Sequence, residues 1–187
     1  VFPCEAREQE YIFMKQIGIR QLREHLSKKP RENLVDEIIL LYNKYSEIKD
    51  YYQFTLSSDG DSQALDKYKK MIRNEFFPTR GLGKLRLSEI NKAVRDFKKV
   101  SDSIESLAEL MLYYVENGIE FIKTYGDIDE PFYESMETVY EDAARMITEH
   151  GLKEEFHNHF ENLVYASDFT GYGFGDTIEN IFNQFFR

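Results

Sequence analysis

His150, Glu154, His157 and Glu161 stand four, three and four residues apart near the C-terminus. On one unbroken helix that spacing aligns two imidazoles with two carboxylates, a donor set suited to a divalent metal and to metal-dependent hydrolysis. Gly151 falls just after the first of them and is expected to end a helix, so the group is read as a solvated face. The stretch "DIDEPFYE" gathers Asp127, Asp129, Glu130 and Glu134. An EF-hand calcium loop needs an oxygen ligand at its fifth place and glycine at its sixth. Pro131 and Phe132 stand there instead, and the acids are read as the cap and first turn of a helix.

Two glycine-rich phrases invite a phosphate, because glycines let backbone amides approach an anion. In "TRGLGK" (79–84) Lys84 is well placed for one. The P-loop pattern, however, requires glycine five residues before the second glycine and Ser or Thr after the lysine. Pro78 and Leu85 occupy those places. In "GYGFGD" (171–176) Asp176 sets a carboxylate where an incoming phosphate would sit, so a turn packed by Tyr172 and Phe174 is expected. Cys4 has no base near it in the sequence, and no Ser-His-Asp motif is present. No catalytic residue, metal ligand or cofactor is therefore assigned.

Charge is the most informative feature. The net charge of −10 is unevenly spread. Residues 67–99 hold eleven Lys or Arg against Glu75, Glu89 and Asp96, a net +8, whereas residues 101–187 carry four basic and nineteen acidic side chains. Three readings follow: compensation within the molecule, a surface for an acidic partner protein, or phosphate neutralisation. The residues that would contact an anion or nucleic acid are Arg73, Arg80, Lys84, Arg86, Lys92 and Arg95. The acidic C-terminal half opposes a polyanion. Tyr68, Phe76 and Phe97 fall on core stripes and are not free to stack bases. Compensation is preferred.

The elements that must carry these residues have a helical period. Ile19, Leu22 and Leu26 mark a first helix that breaks near Pro30. Leu34, Ile38, Leu41, Tyr45, Ile48 and Tyr52 then repeat at four and three residues, which predicts one long helix with a single apolar face. That seam is expected in the core of a bundle, with a homodimer interface as the alternative. Leu65 to Phe76 form another helix, stopped before Pro78. Ser88 is the expected N-cap of the next. A helix from "SDSIE" is expected to end or kink at Asn117-Gly118. Helices from "DIDEP" to His150-Gly151 and along Leu152–Val164 follow. Asp176 and Glu179 look like a capping box for the last. No alternating strand is present. Seven to nine helices joined by short connections make an all-α protein, a bundle or a stack of helical hairpins.

The chain has the size of one domain and enough apolar residues, at 42%, for a core. Its longest apolar runs, "IILLY" and "LMLYYV", fall far short of the ~20 residues of a membrane helix. The opening "VFPCEAREQEYIF" lacks the apolar region of a signal peptide, and Met14 resembles a natural start. Residues 1–13 are thus read as a leader or upstream extension, and 14–187 as a single helical domain. One cysteine fits a reducing, cytoplasmic setting.

"LVDEIILLYNKY", "KYKKMIRNEFFPTRGLGKLRLS", "LMLYYVENGIEFIKTYGDIDEPFYESM" and "GYGFGDT" together resemble a bacterial family of domains of unknown function. The likeness runs from about Met14 to the C-terminus. It implies a small cytoplasmic bacterial protein and supplies no activity, cofactor or catalytic residue. The expectation is a non-catalytic protein–protein interaction module with an unknown protein partner and no membrane. Nucleic-acid association through residues 67–99 is the alternative, and a metal-dependent hydrolase the third reading.

Overall fold

The computed structural model describes residues 17–187, so the leader read at 1–13 lies outside the described residues. Among those described, the protein is all-α: nine helices and no strand. The chain divides into two compact units, one up to Ser46 and one from Glu47 to Arg187.

The first unit contributes α1 (Ile19–Ser27) and α2 (Arg31–Lys44). Pro30 is the N-cap of α2, where its fixed φ begins a helix. Ile19, Leu22 and Leu26 of α1 line a shallow cleft with Leu34 of α2, and Lys29 pairs with Glu37 at 2.6 Å. No residue of either helix is buried.

This corrects the long core helix expected over Leu34–Tyr52. The chain leaves helical geometry at Tyr45 (φ −121°, ψ 123°), whose N–H closes α2 on the carbonyl of Leu41. It restarts as α3 (Ser46–Leu56), which buries only Phe54. The apolar period stays in phase across the break, so spacing alone could not reveal it. Tyr and Ser are both middling helix formers and resist such a break weakly.

The second unit contains α3 and six further helices: α4 (Gly60–Phe76), α5 (Leu87–Val100), α6 (Ile104–Tyr125), α7 (Glu130–Glu149), α8 (Lys153–Ser167) and α9 (Phe174–Phe186). Helix α6 is the centre. It packs on α4, α5, α7 and α8, while α9 closes over α7 and α8. The core is aromatic: Phe76 meets Tyr114, Phe121 and Phe132, and Tyr140 meets Phe160 at 4.8 Å between centroids. A partly buried polar link joins three helices, with Tyr114 Oη donating to Ser135 Oγ at 2.9 Å and Asn91 Nδ2 donating to the same oxygen at 3.2 Å.

Helix α6 continues through Asn117-Gly118 to Tyr125, so the helix does not end there. A Cβ on Gly118 would lie 1.9 Å from Sδ of Met136, so the glycine serves close approach of α7. Asn117 is buried and donates to the carbonyl of Tyr113 while accepting from Arg73. Two expected caps are also corrected. Arg86, not Ser88, precedes α5, because its backbone is already held by Glu75. The last helix starts at Phe174 after Gly173, so Asp176 and Glu179 lie inside its first turns and do not box its end. The cap expected in "DIDEP" forms at Asp129, which accepts from the N–H of Phe132, and Ser103 caps α6 by accepting from the N–H of Ser106.

Candidate functional site

The six basic residues expected to meet an anion fall into two groups. Arg73 and Arg86 are committed to carboxylates of the same chain. Arg73, on α4, forks onto Glu120 of α6 at 2.5 and 2.9 Å, also donates to Asn117 Oδ1 at 2.7 Å, and lies 4.0 Å over the ring of Phe77. The fork holds the Glu120 carboxyl below its ordinary range and pushes the guanidinium up. Arg86 grips Glu75 from Nε at 3.0 Å and Nη2 at 2.5 Å, and its backbone N–H adds a third contact at 3.3 Å. The Glu75 side chain is only 9% exposed against 53% for Arg86. Its hydrogen bonds to Arg86 outweigh its burial and lower its pKa.

That grip explains the glycine-rich loop. Residues 77–86 fold back over the end of α4, and the N–H of Leu85 donates to the carbonyl of Glu75 at 3.1 Å. A Cβ on Gly83 would lie 2.2 Å from the carbonyl oxygen of Phe76. The glycine therefore faces backbone oxygens, a surrounding that repels an anion.

Arg80, Lys84, Lys92 and Arg95 are exposed and form no ion pair among the described residues. Arg80 and Lys84 sit on the loop. Lys92 and Arg95 lie on α5, opposite the buried Ile90, Ala93 and Phe97. The cations of α4 are treated differently: Lys67 meets Asp50 and Lys69 meets Glu109, both at 2.5 Å. Compensation thus operates at Lys67, Lys69 and Arg73 of α4, whereas on α5 Lys99 pairs with Asp96 at 2.6 Å and Lys92, Arg95 and Lys98 keep their charge in water.

Helices α5 and α7 are tied near their N-terminal halves by Asn91 and Ser135, and a groove of about 640 Å³ opens further along between them. Its floor is apolar: Val94, Ile104, Leu107, Met111 and Met146. The α5 wall carries Arg95 and Lys98. On the α7 wall Arg145 is neutralised by Glu141 at 2.7 Å and Asp142 at 3.3 Å, with Glu149 and His150 at the far end. Spacing within α5 pointed to its cations, but nothing in the sequence showed that α7 would supply the facing wall.

The histidine group does not assemble. Gly151 (φ +74°) ends α7 as expected; His150 closes that helix, its Nδ1 2.8 Å from the Met146 carbonyl oxygen, and His157 lies on α8 against the edges of Phe182 and Phe186. Among the described residues no three His, Cys, Asp or Glu side chains gather as metal ligands would. The two aspartates of "DIDEP" are structural: Asp129 caps α7, and Asp127 accepts from Tyr133 Oη at 2.6 Å and from the N–H of Gly171 at 3.3 Å, tying that loop to the "GYG" turn. Burial and then the Asp127 bond push the Tyr133 phenol up. Phe174 is buried there, and the ring of Tyr172 lies 5.1 Å from that of Tyr133, tilted by 37°, while itself exposed.

The feature that periodicity misjudged lies on α2. Leu34 and Leu41 are half-buried, but Val35 is 46% exposed, Ile38 42%, Ile39 52% and Leu40 59%. At 100° per residue the apolar side chains from Leu41 round to Ile39 span about 160° of the helix, wider than the stripe a one-sided surface helix carries. Glu32 and Asp36 border this arc beside Ile39. No helix among the described residues is long and apolar enough to cross a membrane.

Comparison with curated proteins and with solved structures finds no match in either. The sequence matches the family of unknown function DUF6155 over residues 17–185, nearly all of the described chain and all four phrases that carry the resemblance. The protein is a member of that DUF6155 family.

Proposed function

We propose that this protein is a non-catalytic interaction module that self-associates through its N-terminal hairpin. One observation carries the reading: α2 is apolar over two faces, yet buries none of its fourteen residues. A helix of that kind gains stability only by burial against another surface. The hairpin charges are mixed, six basic and four acidic over residues 17–46, which allows one surface to complement itself. A cytoplasmic setting fits the single cysteine.

Light scattering at two protein concentrations tests this. A mass that rises toward a dimer on concentration, and that Val35→Glu/Ile39→Glu returns to monomer, is the expected outcome. A monomer throughout overturns the reading.

A second reading, polyanion contact, is favoured by the exposure of Arg80, Lys84, Lys92 and Arg95. Four contacts of this type give a log–log salt slope of about −3 to −4. Heparin or oligonucleotide binding with that slope, lost in Lys92→Glu/Arg95→Glu, would support it.

A further inference from the structure

The groove between α5 and α7 and the open face of α2 are complementary in three respects. The first is apolarity. The groove offers a floor of Leu107, Met111 and Met146, and methionine adapts its shape to an incoming helix; α2 offers Val35, Ile38 and Ile39. The second is charge. Arg95 and Lys98 stand on one wall with no ion-pair partner among the described residues, while Glu32 and Asp36, likewise without one, border the α2 face on one side. The third is length. Three residues of helix separate the two cations and four separate the two acids, rises of about 4.5 and 6 Å. The α7 wall from Asp142 to His150 extends about 12 Å, close to the rise from Glu32 to Ile39.

We propose that the groove formed by α5, α6 and α7 receives α2 of a second copy of this chain, with Glu32 and Asp36 of one copy set against Arg95 and Lys98 of the other. This rests on the self-association reading above and names the surface that receives the hairpin. The mode is a helix laid in an apolar groove, with flanking charge fixing its direction. Reversing the direction of α2 would carry its acids to the α7 wall, beside Asp142 and Glu149. Exchanged reciprocally, two such contacts close a twofold dimer and leave no open end.

Charge reversal tests the pairing on the full chain. Arg95→Glu/Lys98→Glu and Glu32→Lys/Asp36→Lys should each raise the dimer dissociation constant about tenfold or more at low salt. The variant carrying all four substitutions should recover to within about threefold of the natural chain. All four positions are exposed, and circular dichroism reports whether each variant keeps its fold. A second measurement reads the contact directly: chains with Ile39→Cys are mixed with chains carrying Met146→Cys, both in a Cys4→Ser background. A disulfide joining the two kinds of chain supports the proposal. Three results would overturn it: no recovery in the four-fold variant, no mixed disulfide, or a dimer unaffected by Arg95→Glu/Lys98→Glu. If that last dimer is still dissociated by Val35→Glu/Ile39→Glu, self-association stands and only the receiving surface is wrong. A chain that is monomeric at every concentration removes both.

Discussion

Glu75 shows how one residue can settle the meaning of a motif. Its carboxylate is buried, held below its ordinary pKa by Arg86, and tied to the loop that a phosphate reading had singled out. A carboxyl whose folded pKa is depressed stabilises the fold above its unfolded value, about 4.3. That contribution is lost as pH falls through the lower folded value. Urea denaturation of the natural chain and of Glu75→Gln should therefore differ at pH 7 and converge as the pH drops below about 4. The two ends of the pair are unequal. Arg86→Met leaves a buried carboxylate with only the backbone N–H of residue 86 to hold it, whereas Glu75→Gln leaves an arginine in water, so Arg86→Met should show the lower melting temperature of the two. The tyrosines offer a second check at this scale. Tyr114 is held to about 12 by burial, so ultraviolet titration should find it un-ionised until the protein unfolds in alkali.

Helix α6 is long because its interior glycine fits a neighbour and does not break the helix. Replacing Gly118 with alanine would favour the helix by about 1 kcal/mol on propensity alone. The overlap with the buried Met136 is expected to outweigh that gain, for a net loss of about 1–3 kcal/mol measured by chemical denaturation. The double variant with Met136→Ala should recover part of the loss, since the clash partner is gone, and a double-mutant cycle reads the coupling. Helices α2 and α3 give the opposite lesson. Their apolar positions continue one period through Tyr45, and helical geometry is still lost there.

Burial over the whole molecule separates two classes of apolar residue that look alike in sequence. Ile72 and Phe160 are fully buried in the second unit, whereas Ile39 is half exposed. Phe160→Ala should cost about 3–5 kcal/mol. At concentrations low enough to keep the chain monomeric, Ile39→Lys should change stability by no more than about 0.5 kcal/mol. Thermal denaturation of the two variants compares these directly. A large loss in Ile39→Lys would mean that α2 is already buried in the monomer.

Helical class, the cap at Asp129 and the stop at Gly151 were legible in the sequence because each depends on residues within a turn or two of one another. Apolar period, a side-chain oxygen near free N–H groups and a glycine at a helix end act locally. The tertiary structure alone decided which apolar stripes are core, which cations find carboxylates and which helices face each other across a groove. Arg73 and Arg95 are the same residue type, each on an amphipathic helix; only the first lies where α6 brings a glutamate 47 residues away within reach. Such pairings depend on which helices the core draws together, a choice made by the summed burial of many side chains and not by any short stretch of the chain.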